Sequence, residues 1–410
     1  MAVAPQRIRL AVALDGTGWH PAAWREPGAR PTELFTPRYW ADLVREAEAG
    51  LVDLVTIEDS LSLQTSDRFS TEGDARTDRV RGRLDAVLIA SRIAPLTSHI
   101  GLVPTAIVTH TEPFHLAKAI ATLDYVSTGR AGVRVQVAAS PRDAALFGRR
   151  TFPPISYADL DSPAGTARIE ELFGEAADYV EVLRRLWDSW EDDAEIRDKA
   201  TGRFVDRTKL HYIDFEGPHF SVRGPSITPR PPQGQPPVAA LAHRDVPFRL
   251  VGGSTDLGFV TPHEAADIAP IVSSIRTAQA DAGRAGEPVH VLGDVVVVLG
   301  ETEEAARARL ARLDEAAGEA YGSDARIFTG TAAQLADLLA EWHAEGLSGF
   351  RLRPAVLPDD LTAITRGLVP ELQRRGLFHE AYEADTLRGL LGLERPANRY
   401  ATATNVGSAR

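Results

Sequence analysis

Residues 98–140, SHIGLVPTAIVTHTEPFHLAKAIATLDYVSTGRAGVRVQVAAS, carry the pattern from which the fold follows. From His99 to Val108, β-branched and small apolar residues run almost without a break, as in a strand buried on both faces of a parallel sheet. Thr111, Glu112 and Pro113 then predict a helix start: a hydroxyl able to cap backbone N–H groups, an acid at the positive dipole end, and a proline in the first turn. Leu116, Ile120 and Leu123 share one face of that helix, ready to lie on a sheet. Ser127-Thr128-Gly129 stops it, and Ala131–Ala138 is extended again. Such a crossover is right-handed and presents ligand groups at the carboxyl ends of its strands. Thr105–His110 and Gln136–Ser140 are therefore the first places to look for chemistry.

Working outward, Arg7–Leu14 is the expected first strand and Asp15–His20 a loop at its carboxyl end. A helix follows over Pro37–Ala49, then a second strand over Leu51–Ile57 that ends in Glu58-Asp59. Ser60–Arg83 is longer than an ordinary connection and reads as a lid or loop; helix resumes over Leu84–Ala94. After Ser140 a proline-containing irregular stretch leads to a long helix from Thr166 to Trp190, with Leu172, Ala176, Tyr179, Leu183 and Leu186 in one stripe. Residues 191–235 read as an insertion with a short hairpin and a proline-rich return. Further strands are expected at Pro236–Ala242, Asp256–Val260, Val289–Leu299 and Ser348–Arg353, with helices over 262–282, 302–319 and 331–345. Pro247, Gly252 and Gly253 predict an irregular turn after the fifth strand. Eight strands alternate with helices and no strand-like run is left over. The expected fold class is α/β, a single (β/α)8 TIM barrel over 1–410 with insertions at about 60–83 and 191–235 and a C-terminal helical extension over about 359–410.

The composition, 44% hydrophobic and 25% charged, supplies a large core. A net charge of -12 argues against a nucleic-acid surface. The absence of cysteine excludes disulfides, thiolate zinc sites and cysteine nucleophiles. The N-terminal apolar run is too short for a signal peptide, and no stretch approaches the roughly 18 apolar residues that cross a bilayer. A cytoplasmic protein without membrane contact is expected. No HxH, HExxH, GxSxG or P-loop pattern occurs, so no metal site is expected.

Several long blocks resemble the bacterial luciferase-like flavin monooxygenases, in the subgroup of nitrilotriacetate, dimethyl sulfone and dibenzothiophene sulfone monooxygenases. They are GWHPAAWR (18–25), EPFHLAKAIATLDYVSTGRAG (112–132), HFSVRGP (219–225), PRPPQGQPPV (229–238) and ELQRRGLFHEAYEADTLRGLLGLERPANRY (371–400). The resemblance implies a two-component oxygenase: reduced FMN, delivered by a separate NAD(P)H-dependent flavin reductase, reacts with O2 in the barrel and oxygenates a small organic substrate. It also implies a homodimer or homotetramer. The chain departs from the family's pattern in three places. Many members have Trp-Asn-Val-Val-Thr-Ser at the fourth strand, where this chain has Val133–Ser140. The family's Ala-Gly-Ser-Ser after the fifth strand, which receives the FMN phosphate, is Leu241-Ala242-His243-Arg244 here. Its Arg-Tyr pair on the long helix is Leu172-Phe173.

On this basis Asp59, Thr105, Arg134, Gln136, Ala242, His243 and Arg244 are the candidate cofactor-binding residues, with Arg244 offering charge-assisted bonds in place of the hydroxyls. His20 and His110 are the candidate catalytic residues, as imidazoles at a barrel mouth, and Trp19 a candidate wall of the substrate pocket. Each has a plainer reading: a loop-capping aspartate for Asp59, strand propensity for Thr105, loop hydrogen bonding for the histidines. Arg134 and Gln136, two apart, point to one side of their strand. An inward arginine requires an answering acid, either Glu58, Asp59 or an anionic ligand. Two other functions stay open on the same barrel: a deazaflavin-dependent oxidoreductase, and a non-catalytic relative that binds a flavin or small ligand.

Overall fold

The computed structural model describes residues 7–65, 75–154, 159 and 162–401. In chain order the strands are β1 (Arg9–Leu14), β2 (Leu54–Ile57), β3 (Gly101–Ile107), β4 (Val133–Gln136), β5 (Glu195–Asp198), β6 (Arg203–Val205), β7 (Phe215–Glu216), β8 (Ser221–Val222), β9 (Val238–Ala242), β10 (Leu257–Val260), β11 (His290–Leu299), β12 (Arg326–Gly330) and β13 (Gly349–Pro354). The α-helices are α1 (Pro37–Ala49), α2 (Ala86–Ile93), α3 (Pro113–Val126), α4 (Pro141–Phe147), α5 (Pro163–Asp188), α6 (Asp245–Ser254), α7 (Ile268–Asp281), α8 (Glu303–Ala317), α9 (Ala332–Ala344), α10 (Asp359–Ala363), α11 (Val369–Arg374) and α12 (Leu387–Leu390).

Eight parallel strands close a barrel in the order β10-β9-β4-β3-β2-β1-β13-β11, with β11 returning to β10. Every residue of β3 is buried, since one face meets the outer helices and the other the barrel interior. Four sequence expectations need correction. A strand was left over: β12 pairs in parallel with Val295–Leu299 of β11. The ten-residue β11 outruns β10, which pairs only with its first four residues, His290–Gly293. The connection after β9 is a regular helix, α6, because Pro247 falls in its first turn, where no intrahelical N–H bond is lost. Gly252 in that helix lets α7 approach: a Cβ there would stand 2.6 Å from Gln279 N and 2.7 Å from Ile275 O. Finally, Thr111 caps nothing. Its hydroxyl donates to Ile107 O (2.7 Å) and meets Tyr179 Oη (3.0 Å), while Glu112 is the N-cap of α3.

The 191–235 segment holds two hairpins, β5–β6 and β7–β8, rather than one. The C-terminal segment closes the amino end of the barrel. Leu387, Leu391 and Leu393 join Ala11, Leu54, Val103, Leu257, Phe259 and Leu292 in one buried cluster. Each such leucine stabilises the fold by roughly 1.5–3 kcal/mol through burial. Among the described residues no helix is long and apolar enough to cross a membrane.

Candidate active site

Alternation along the strands decides what fills the barrel above that leucine floor. Small (β/α)8 interiors are normally packed with branched apolar side chains; here the next storey is a layer of charge. Arg134 on β4, 2% exposed, ion-pairs with Glu58, donates Nε to Thr105 Oγ1 (3.0 Å) and Nη2 to Gln136 Oε1 (2.9 Å). Glu58 also takes Arg351 of β13 (3.2 Å). Arg351 forks onto Asp294 of β11, with Nε at 2.9 Å, and lies over the Phe259 ring at 4.3 Å. Arg353 shares Asp294 (Nε, 2.8 Å), reaches Asp324 (2.6 Å) and lies over Trp19 at 4.5 Å. Of the partners weighed for Arg134, the structure therefore brings Glu58.

Burial pushes the Glu58 and Asp294 carboxyls up, but the neighbouring guanidinium groups more than offset it and hold both below the ordinary carboxylate range. Burial lowers Arg134 to about 10, against the pull of Glu58. Arg134 stays charged at neutral pH, and, against burial, Asp294 and Asp324 push Arg353 further up. Glu58 and Asp294 answer two of the three guanidinium charges inside the barrel, and the third is met at the rim by Asp324, which also stands 3.5 Å from His243 Nε2.

The candidate residues sort into two groups. Thr105, Arg134 and Gln136 are joined in one hydrogen-bonded set below the mouth. With Gln136 Oε1 accepting from Arg134, the amide's donor capacity lies in its NH2. Asp59 spends its carboxylate on Ser60 N (2.7 Å) and Ala86 N (3.0 Å), shaping the loop between β2 and α2. Ala242 is buried at the end of β9; His243 and Arg244 follow it on the surface, with His243 Nδ1 2.8 Å from Thr261 Oγ1 and Arg244 as N-cap of α6. Trp19 donates Nε1 to Ala13 O (3.3 Å).

The two histidines differ. His20 is buried, accepts Ala22 N–H at Nδ1 (3.1 Å) and so carries its proton on Nε2, directed at Asp314 (3.1 Å). Burial lowers its pKa, and its two nitrogens are spent on structure, Nδ1 on its own loop and Nε2 on α8. His110, 4% exposed at the exit of β3, has no partner on either nitrogen among the described residues. Its backbone lies in the left-handed region at φ 73°, and its ring sits between Phe147 (5.5 Å) and Phe152 (5.2 Å). Non-glycine residues hold that conformation where the surroundings impose it, often at functional sites.

The described ends of the 60–83 segment are tied down beside the mouth. Gln64 and Gly82 exchange two hydrogen bonds (2.9 and 3.2 Å), and Arg83 pairs with Asp15 (2.6 Å). Residues 66–74 of that expected lid lie outside the described residues. A cavity of about 370 Å³ opens instead near the amino end, around Arg184, Asp256, Arg284 and Arg388. Its arginines already bond Asp256, Ser254 O, Gly252 O and Gln235 O, so it reads as structure.

This fold is that of the luciferase-like monooxygenases. The family's model matches residues 17–349, and the chain belongs to that family of oxidoreductases. Among curated proteins it is 31% identical to N-acetyl-S-(2-succino)cysteine monooxygenase of Bacillus subtilis (strain 168), across 97% of this chain and 99% of that one. It is equally 31% identical, over the same shares, to nitrilotriacetate monooxygenase component A of Aminobacter aminovorans. Among solved structures, riboflavin lyase with modified FMN and riboflavin superposes with a TM-score of 0.81 at 24% identity, covering 96% of this chain and 97% of that one.

Proposed function

We propose that this chain is the oxygenating component of a two-component, FMN-dependent monooxygenase acting on a small organic acid. The observation that carries the reading is the end-to-end similarity to two monooxygenases whose named substrates, an N-acetylated succinocysteine and nitrilotriacetate, each bear several carboxylates. The second is named as a component, which supports a separate NAD(P)H-dependent flavin reductase as partner.

The donor set at the mouth fits FMN. Helix α6 begins with no side-chain cap on its N-terminal amides, and His243 and Arg244 stand beside it. That combination suits a phosphate, since helix N–H groups and a guanidinium both donate to anions. Gln136 would offer its amide NH2 to the ring, held in place by Arg134, which also bonds Thr105. Reduced FMN, when bound, supplies the electrons for oxygen activation. The protein's share would be to orient ring and substrate over the charged layer and to exclude water.

Anaerobic calorimetry with reduced FMN, oxidised FMN and a deazaflavin tests this. Saturable binding of reduced FMN, tighter than oxidised, with oxygen-dependent turnover once a flavin reductase is supplied, is the expected result. A preference for the deazaflavin would move the chemistry to hydride transfer, and no flavin binding at all would sink the reading. Arg244→Ala should weaken FMN about 10- to 100-fold, the loss expected for a charge-assisted bond, and leave riboflavin unchanged.

A further inference from the structure

We infer that His110, Arg142, Asp143 and Arg168 form a subsite for a carboxylate of the substrate, an assignment that rests on the monooxygenase reading above. Among the described residues, nine buried side-chain nitrogen and oxygen atoms have no hydrogen-bond partner, and six of the nine belong to these four residues. They are both nitrogens of His110, Nε and Nη1 of Arg142, Oδ1 of Asp143 and Nη1 of Arg168. Folded proteins rarely leave buried polar atoms unsatisfied, so six of them on four residues mark groups kept for something outside the chain.

The four residues come from three elements at the carboxyl mouth: the exit of β3, helix α4 after β4, and the first turns of α5. Phe152 holds two of them together, with the His110 ring 5.2 Å from one side and the Arg168 guanidinium 4.7 Å from the ring centroid. Arg142 spends only Nη2, a long contact to Leu63 O at 3.5 Å, which turns its guanidinium toward the base of the 60–83 segment. The neighbouring charges are committed elsewhere: Arg150 pairs with Glu175, and Arg149 with Glu112 and with His110 O (3.0 Å). That last bond helps fix the His110 backbone at its positive φ.

Two guanidinium groups with idle N–H donors call for an anion, and a planar carboxylate matches their geometry. Burial keeps His110 below the ordinary histidine range, so its neutral ring adds one donor and one acceptor. With Asp143 Oδ1 as a second acceptor, the ligand is a small organic acid carrying an N–H or O–H near its carboxylate. The phosphate of FMN is the other source of the same anion chemistry.

The test uses the full chain, with and without saturating FMN, and N-acetyl-S-(2-succino)cysteine as probe. Arg142→Gln, Arg168→Gln and His110→Gln are compared with wild type by calorimetry, after thermal melts show each folded; Arg168→Lys serves as the charge-conserving variant. We expect saturable binding to wild type, at least tenfold weaker in each glutamine variant and partly restored by lysine, while the preference for FMN over riboflavin is unchanged. No binding to wild type, or equal binding to all variants, overturns the subsite. So does loss of the FMN preference in the variants, which would give the cluster to the phosphate. Carboxylate binding that is lost in the variants of a protein taking no flavin would uphold the subsite and sink the cofactor reading instead.

Discussion

Arg134 shows what one side chain imposes on its surroundings. A guanidinium inside a barrel loses its hydration and survives only where acids and hydroxyls replace water. Glu58, Thr105 and Gln136 do so, and Glu58 is in turn shared with Arg351. Removing one member leaves the others exposed to the full desolvation penalty. Arg134→Ala should therefore cost about 3–5 kcal/mol in urea unfolding. Pairing Arg134→Met with Glu58→Gln should cost at least about 1 kcal/mol less than the sum of the two single changes, because Arg351 keeps Asp294. Strict additivity would mean that the pair does not act as a unit. At this scale the sequence was informative about chemistry and left the choice of partner open. The spacing of Arg134 and Gln136 placed both inside, yet only the barrel's curvature chose Glu58 over Asp59, whose carboxylate is spent on loop amides. His110 stood out in the sequence as a histidine at a strand exit. Arg142, Asp143 and Arg168 did not, because their shared feature, buried atoms with no partner, exists only in three dimensions.

Between elements, the C-terminal segment and the barrel floor depend on glycines. A Cβ on Gly101, at the start of β3, would stand 2.5 Å from Leu387 Cδ1 and 3.2 Å from Asp53 O; one on Gly132 would lie 3.0 Å from Leu387 Cδ2. These two positions open the seat that Leu387 fills. Gly101→Ala should destabilise by about 1–3 kcal/mol through overpacking, and Leu387→Ala in the same chain should recover part of the loss in thermal melts. If the double variant is simply worse, the leucine is not what the glycine accommodates. The elements themselves were legible where periodicity was long, as in β3, α3 and α5. The short β12 was missed because five residues, four of them half-buried, carry little pattern, and α6 because its proline and glycines suggest a break until Pro247 is seen in the first turn and Gly252 against α7.

The molecule as a whole carries buried titratable groups that respond to acid in opposite senses. His290 at the barrel floor is lowered to about 4, by burial first and Arg9 second, and faces Leu391 O at 2.7 Å as a neutral donor. Between pH 6.5 and 4 the unfolded chain takes up a proton there that the folded chain refuses, so this contribution to stability is lost as pH falls through that window. Relative to His290→Gln, wild type should lose about 2 kcal/mol between pH 7 and pH 5; parallel pH profiles would remove His290 from the balance. Burial raises Asp53, Asp124 and Asp360 to about 6, with the reverse sign: the folded state holds their protons more readily, so each contributes more stability as pH drops from 6 toward 4.

Strand-helix alternation, buried parallel strands and the collinear blocks were all written in the sequence, because local periodicity and turn chemistry specify elements and their order without reference to distant residues. That was enough to fix the barrel class and the family, and to point at the carboxyl mouth. Tertiary structure alone decided which charges neutralise one another inside the barrel, which side of β11 takes the extra strand, and which polar groups at the mouth are left without partners. Those outcomes depend on desolvation and on distances between residues tens to hundreds of positions apart, and no local pattern encodes them.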